Sequence, residues 1–483
     1  MDLKKLLKEI KYMELKGENN DIDIAEITRD SREVAQNYLY IAIEGENIDG
    51  HDFIDDVIKN GARVIVHSKE LNKYEDNICY IRVSDTRDAM AEISKVFFYV
   101  PGDMKILGVT GTNGKTTSTM MLKHVLETTG AKVGLIGTIA NYIGDKVIPT
   151  ERTTPESIEL FRLLRDMKLE GCSYCVMEVS SHASVLNRIA GLEFEVGGFT
   201  NLTQDHLDFH KTFKEYYKAK FKFIEYANNH VINVDDKYGR DMIKDLELKD
   251  KYSYTYGIDN GMFRASNLEL TASGSSFNLL IEGVNRGKFT IHIPGVYNVY
   301  NALGVIAMLN VCGIDVSTMR DGFETMKSVD GRCEKVYHEK LKSTVVVDYA
   351  HTPDGLDNIL KTMREVVKGK LITVFGCGGN RDKTKRPLMG EVASKYSDFV
   401  VVTSDNPRFE NPTDIIKDIM AGMSGEYIML EDRRCAIEYA IQLAEQNDIV
   451  VIAGKGHEDY QIIRDEKVHF SDKEVVVEFF DKK

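Results

Sequence analysis

Eight near-continuous apolar runs, each closing on glycine or a polar turn, constrain this 483-residue chain more than any other feature. They read KILGVTG (105–111), KVGLIG (132–137), CSYCVMEVS (172–180), HVINVDD (230–236), STVVVDYA (343–350), KLITVFGCGG (370–379), FVVVTSDNP (399–407) and IVVIAGKG (449–456). A strand with one solvated face alternates apolar and polar residues, whereas a strand covered on both faces does not. With helical patterns between the runs, the chain must build doubly wound, mainly parallel sheets, and such sheets bind ligands beyond their strand carboxyl ends. SFNLLIEG (276–283) and KFTIHIPG (288–295) alternate instead, so a hairpin turning at Val284-Asn285-Arg286-Gly287 is expected as an antiparallel addition.

The runs fall into groups. YLYIAI (38–43), ARVIVH (62–67) and CYIRV (79–83) predict short strands, followed by a helix in SDTRDAMAEISKVFF (84–98) that ends before Pro101-Gly102. A second boundary falls near residue 330. The fold class is therefore α/β with three domains: a small α/β domain over 1–100, a central domain of the phosphate-loop type over 101–330, and a Rossmann-like domain over 331–483. Hydrophobic residues at 43%, with only 37 glycines and 8 prolines, exclude a disordered or collagen-like chain. The net charge of −14 argues against bulk nucleic-acid or membrane-surface binding. MDLKKLLKEIKYMEL lacks the apolar centre of a signal peptide, and no apolar run is long enough to insert in a membrane, so a cytoplasmic chain is expected. The odd set of seven cysteines suggests reduced thiols. Cys172 and Cys175 form a C-x-x-C without a second pair, open to strand packing or to redox and metal use.

The strongest motif is Gly108-Val-Thr-Gly111-Thr112-Asn113-Gly114-Lys115-Thr116-Thr117, between an apolar strand and a helix. Backbone N–H groups and the helix amino end would cradle a triphosphate, Lys115 would neutralise it, and Thr116 would ligate Mg²⁺. Val109 stands where the strict phosphate-loop spacing has its first glycine, so strand and helix context carries the reading. Glu178, at a strand end, suits a hard cation, and His206, in Asn201-Leu-Thr-Gln-Asp205-His206, could ligate a second ion; either residue taken alone could equally be structural. Arg188 offers a fork for a carboxylate or diphosphate. Three more strand ends carry Arg381, then Asp405-Asn406-Pro407-Arg408, then Gly454 and Glu458. Guanidinium groups beside carboxylates there make a clamp for a zwitterion.

Gly111-Thr112-Asn113-Gly114-Lys115-Thr116-Thr117 resembles the ATP loop of the Mur ligase family, and further motifs match in order along essentially the whole chain. The resemblance implies an ATP-dependent amide ligase of peptidoglycan precursor synthesis. It extends the ATP site to Asn298, Arg332 and Asp348, with Asp330 replacing a common proline. It makes Lys220, in Tyr216-Tyr-Lys-Ala219-Lys220, a carbamylated lysine acting with Lys115, Glu178 and His206 in catalysis. Thr116, Glu178, His206 and carbamylated Lys220 become the Mg²⁺ ligands; by composition alone Lys220 would be a surface lysine. Ser31, Thr153, Thr154, Ser180 and Arg188 become contacts to UDP-N-acetylmuramoyl-L-alanyl-D-glutamate, with Asn37 and Leu186 departing from a common glycine and glutamine. Arg381, Asp405, Asn406, Pro407, Arg408, Gly454 and Glu458 resemble the site of members that add meso-diaminopimelate. The implied reaction passes the ATP γ-phosphoryl group to the D-glutamate side-chain carboxylate, after which the amine displaces phosphate, with domain closure and a monomer expected. Alternatives are a lysine-adding member or a folylpolyglutamate-synthetase-like ligase; the Asp30-Ser31-Arg32 domain counts against the latter.

Overall fold

The computed structural model describes residues 1–17, 21–45, 48–271, 273–338, 340 and 343–481. The fold is α/β. The chain divides into two compact units, residues 1–107 with 131–195, and residues 108–130 with 196–483.

In the first unit a five-stranded sheet has the order Glu14–Gly17, Cys79–Arg82, Ala62–His67, Tyr38–Ile41, Glu26–Thr28, parallel except for its first pair. Its core holds Tyr40, Ala42, Ile54, Val57, Ile65 and Tyr80. Asp85 caps the helix Thr86–Phe97 through the backbone N–H groups of Arg87 and Asp88. Asn37 adopts φ +62, so it supplies the left-handed backbone that a glycine would otherwise provide. The same unit pairs Val133–Ile136 in parallel with Tyr174–Glu178, and an antiparallel pair, Asn141–Ile143 and Lys146–Ile148, follows. Cys175 is fully buried in that strand and burial raises its thiol pKa, as expected of a packing residue rather than a thiolate.

In the second unit the strand residues 196–199, Asn229–Asn233, Ser253–Gly257 and Phe263–Thr271 run parallel. Gly274–Ile281 and Val284–Ile291 then add antiparallel strands. The expected hairpin exists, but it turns at Glu282-Gly283, with Ile281 opposite Val284. Both turn residues have positive φ, the two-residue geometry that matches strand twist. Asn285-Arg286-Gly287 had suggested the turn because it looks like one; it lies instead in the strand, beside a register shift. A six-stranded sheet orders Glu334–Val336, Thr344–Asp348, Ile449–Ala453, Leu371–Phe375, Phe399–Val402, Tyr427–Met429, with only the first pair antiparallel. Its interior strands are buried on both faces, so their apolar runs are continuous. No helix among the described residues is long and apolar enough to cross a membrane.

Candidate functional site

The loop 111–114 joins the strand Lys105–Thr110 to the helix Lys115–Thr128. Gly114 caps that helix at φ +89, and a Cβ there would lie 2.3 Å from Asn301 Oδ1. A Cβ on Gly111 would lie 1.8 Å from Thr200 Oγ1. The loop is fastened from the next strand end. Thr112 N donates to the Asn201 carbonyl and Asn113 N to Asn201 Oδ1, both at 2.9 Å, and Thr200 Oγ1 donates to the Asn113 carbonyl at 2.6 Å. Gly114→Ala is expected to lower ADP affinity about tenfold or more, since it both strains the cap and displaces Asn301; calorimetric titration with ADP measures this.

Lys115 Nζ donates to the carbonyls of Gly111 (2.9 Å) and Thr112 (2.8 Å). Lys220 Nζ donates to the same Gly111 carbonyl at 2.7 Å and lies 4.6 Å from the centre of the Tyr216 ring. Lys220 is 1% exposed; burial, and then the charge of Lys115, hold its amine well below the usual lysine range. Thr116 Oγ1 accepts from Arg332 Nη2 at 3.0 Å.

A cavity of about 280 Å³ beside the loop is lined by Asn113, Gly114, Thr117, Asn298, Asn301, Arg332 and Asp348. Asn298 is held by its own Nδ2 on the Pro294 carbonyl and by Asn301 Nδ2 on its Oδ1. Asp348 accepts from the backbone of Cys333 (2.7 Å) and Ala350 (2.8 Å), while burial raises its carboxyl above the ordinary range. Asn113 Nδ2 also donates to Asp354 Oδ2 at 2.6 Å. The ATP set expected from the sequence is thus assembled in one unit.

A second cavity, about 190 Å³, is lined by His206, Arg381, Asp405, Asn406, Arg408, Gly454 and Glu458, with Lys385 and His351. His206 has φ +53 and its Nε2 lies 3.3 Å from Asp205 Oδ2. Asn406 Nδ2 donates to Glu458 Oε2 at 3.0 Å, and buried Lys455 reaches the same carboxylate at 3.1 Å. Arg408 Nη1 donates to the Gly379 carbonyl at 2.9 Å; burial, and then Arg381 beside it, lower its pKa. Pro407 does not line the cavity; its carbonyl accepts from Glu410 N. Arg386 is buried against Glu410 and Asp418, so it ties its own helix, Lys385–Tyr396, to the segment at Glu410 and to the helix Pro412–Met420 rather than lining the cavity. Arg386 brings Glu410 down to about 2.

The first unit gathers another part of the set. Glu178 accepts from Thr138 N (2.8 Å) and Oγ1 (3.0 Å), and Thr138 Oγ1 meets Thr153 Oγ1 at 3.0 Å. Thr154 Oγ1 donates to the Glu178 carbonyl and accepts from Ser180 N. Arg188 is buried with its Nη2 2.8 Å from Glu156 and its Nη1 on the Thr154 carbonyl. A buried guanidinium needs such a counter-charge, and removing either partner costs about 3–5 kcal/mol. Ser31 is half-buried beside the Asp30–Arg32 pair. Arg29, on the same loop, shares a cavity of about 450 Å³ with Arg152 and Glu156.

Among the described residues no three His, Cys, Asp or Glu side chains form a metal cluster. Of the expected Mg²⁺ set, Thr116, His206 and Lys220 belong to the second unit, and Glu178 belongs to the first. Thr138, Thr200 and Lys385 were not singled out from the sequence. Thr138 follows the glycine that ends KVGLIG, a signal too common to rank. Lys385 Nζ donates to the His351 carbonyl at 2.8 Å, a partner that sequence spacing could not reveal.

Three family profiles match in order: "Mur ligase family, catalytic domain" over 23–98, "Mur ligase middle domain" over 109–309, and "Mur ligase, glutamate ligase domain" over 331–456. The chain is 52% identical to UDP-N-acetylmuramoyl-L-alanyl-D-glutamate--2,6-diaminopimelate ligase 1 of Clostridium acetobutylicum, covering 99% of each. It is 49% identical to the corresponding diaminopimelate ligase of Clostridium tetani, covering 100% of each. A solved structure of a UDP-N-acetylmuramoyl-L-alanyl-D-glutamate--2,6-diaminopimelate ligase superposes with a TM-score of 0.71 at 30% identity, over 100% of this chain and 99% of that one. The MurF ligase of Thermotoga maritima, solved with ADP, shares the fold with a TM-score of 0.65 at 19% identity, over 96% and 98% of the two chains.

Proposed function

Since the chain belongs to the Mur ligase family, we propose that it joins meso-diaminopimelate to UDP-N-acetylmuramoyl-L-alanyl-D-glutamate, converting ATP to ADP and phosphate. The observation that carries the choice of amine is the second cavity, where Arg408 and Arg381 stand with Asp405, Asn406 and Glu458. Paired guanidinium groups suit a distal carboxylate, and the carboxylates and amide suit its ammonium. Lysine carries an ammonium at its distal end but no second carboxylate, so it would leave the arginines unmatched.

In this reading three working domains, 1–100, 101–330 and 331–483, bind the UDP-sugar, ATP and the amino acid. ATP lies on the loop 111–117, with Lys115 on its phosphates and Asn298, Arg332 and Asp348 around the nucleotide. Ser31, Thr153, Thr154, Ser180 and Arg188 hold the UDP-muramoyl-dipeptide. Arg188 does so from within its pair with Glu156, which fixes the fork's orientation. The dipeptide's terminal D-glutamate side-chain carboxylate attacks the γ-phosphorus and ADP leaves. The diaminopimelate amine then attacks the acyl phosphate, loses a proton, and phosphate leaves from the tetrahedral intermediate. Catalysis rests on placement and charge neutralisation. Lys220, whose amine burial and then Lys115 hold well below the usual lysine range, would add to CO₂ and release a proton to become a carbamate anion. By resemblance to the family, Thr116, His206 and that carbamate, and Glu178 in the first unit, are the residues that would hold Mg²⁺, which would supply charge neutralisation at the phosphates. None of the seven cysteines forms a disulfide, which supports a reducing, cytoplasmic setting for a ligase of small-molecule substrates.

Positional isotope transfer tests the chemistry. With ¹⁸O in the D-glutamate side-chain carboxylate, one label is expected in the released inorganic phosphate, and ADP release is expected to require both co-substrates. Unlabelled phosphate would rule out the acyl-phosphate route.

A further inference from the structure

Arg433 and Asp472 form an ion pair in which both side chains are fully buried. Arg433 begins the helix Arg433–Leu443 and Asp472 begins Asp472–Asp481. The contact is bidentate, with Nε 2.8 Å from Oδ1 and Nη2 2.7 Å from Oδ2. The same guanidinium donates from Nη2 to the Ala453 carbonyl at 3.0 Å and reaches the Ser404 carbonyl from Nη1 at 3.4 Å. Ala453 ends the strand Ile449–Ala453 and Ser404 follows Phe399–Val402. The next residues along the chain are Gly454 and Asp405, which line the amine cavity while Arg433 does not.

One planar group therefore ties together the two strand ends that deliver Asp405, Asn406 and Glu458. Burial opposes the charge on Arg433, but the carboxylates of Asp472, Asp405 and Glu458 outweigh it, so its pKa is raised. A hydrophobic pair of similar volume commonly matches a buried ion pair in stability, yet it cannot hold two carbonyl oxygens at a set spacing.

We propose that Arg433, oriented by Asp472, is a positioning residue that sets the spacing between the 404–406 and 453–458 segments and so governs affinity for the amino-acid substrate. This rests on the amine-site reading given above.

The test uses the full chain with Arg433→Met and Asp472→Leu combined, which removes both charges while keeping volume. The expected result is a thermal midpoint close to the parent's and a KM for meso-diaminopimelate raised about tenfold or more, with the KM values for ATP and the UDP-muramoyl-dipeptide within about twofold. Arg433→Lys, which keeps the charge but not the fork, is expected to show the same split more weakly. If the double variant does not fold, Arg433→Lys carries the same readout. A folded variant with an unchanged amine KM, or with all three KM values raised alike, would overturn the proposal. A parent protein that turns over a different amine would remove the diaminopimelate reading instead, and the same KM split on that amine would then decide the role of Arg433.

Discussion

Lys220→Ala is expected to lower kcat by about 10³-fold while leaving ADP affinity within a few-fold of the parent. The side chain is 1% exposed, and its Nζ donates to the same Gly111 carbonyl as Lys115 Nζ, at 2.7 and 2.9 Å. Two lysine cations sharing one carbonyl in a buried setting would repel, and burial together with Lys115 accordingly lowers the Lys220 pKa. A neutral amine is the form that captures CO₂, and the carbamate would replace repulsion of Lys115 with attraction. Small carboxylates such as formate or acetate are then expected to restore part of the lost kcat of the alanine variant. An intact-mass measurement at neutral pH with bicarbonate is expected to show the parent 44 Da heavier, the mass of one CO₂. An alanine variant keeping more than about a tenth of kcat would exclude the role.

Arg408→Ala is expected to raise the KM for meso-diaminopimelate about 10²-fold and to change the KM for ATP by no more than about twofold. Arg408 is fixed by Nη1 on the Gly379 carbonyl, in the left-handed backbone region at φ +51. Burial, and then Arg381 at its side, depress its pKa, while Asp405 and Glu458 act against that. The ligand's distal carboxylate would relieve that repulsion, which is why truncation falls on this substrate and not on the nucleotide. Arg408→Lys should recover little, since an ammonium cannot reproduce the fork. Steady-state kinetics with each substrate varied in turn measures both constants, and equal changes in the two would contradict the assignment.

What was legible in the sequence is local. The apolar runs marked strands buried on both faces, and 111–117 marked a phosphate loop because strand, glycines, lysine and helix are contiguous. The cations and carboxylates at three strand ends were legible because a parallel sheet brings successive carboxyl ends to one edge. The strand Phe263–Thr271 was passed over, although its burial alternates at its amino-terminal end as its residues do. Partnerships across long stretches of chain were not legible. Asn113 with Asp354, Arg188 with Glu156, and Arg433 with Asp472 are pairs whose spacing no local rule restricts. Arg188 shows the consequence: its fork could be read as a ligand for a substrate anion, but not its burial against Glu156. The hairpin turn failed for a related reason, because Asn285-Arg286-Gly287 has turn chemistry while strand pairing placed the turn at Glu282-Gly283.

The central claim is the identity of the amine, and a side-by-side measurement of kcat/KM for meso-diaminopimelate, lysine and ornithine tests it most directly. Each assay contains ATP, Mg²⁺ and UDP-N-acetylmuramoyl-L-alanyl-D-glutamate, and the product is identified by mass. The account predicts UDP-muramoyl-tripeptide carrying diaminopimelate, with kcat/KM at least about 10²-fold above that for lysine. Turnover with lysine or ornithine at a rate equal to or above that with diaminopimelate would contradict it.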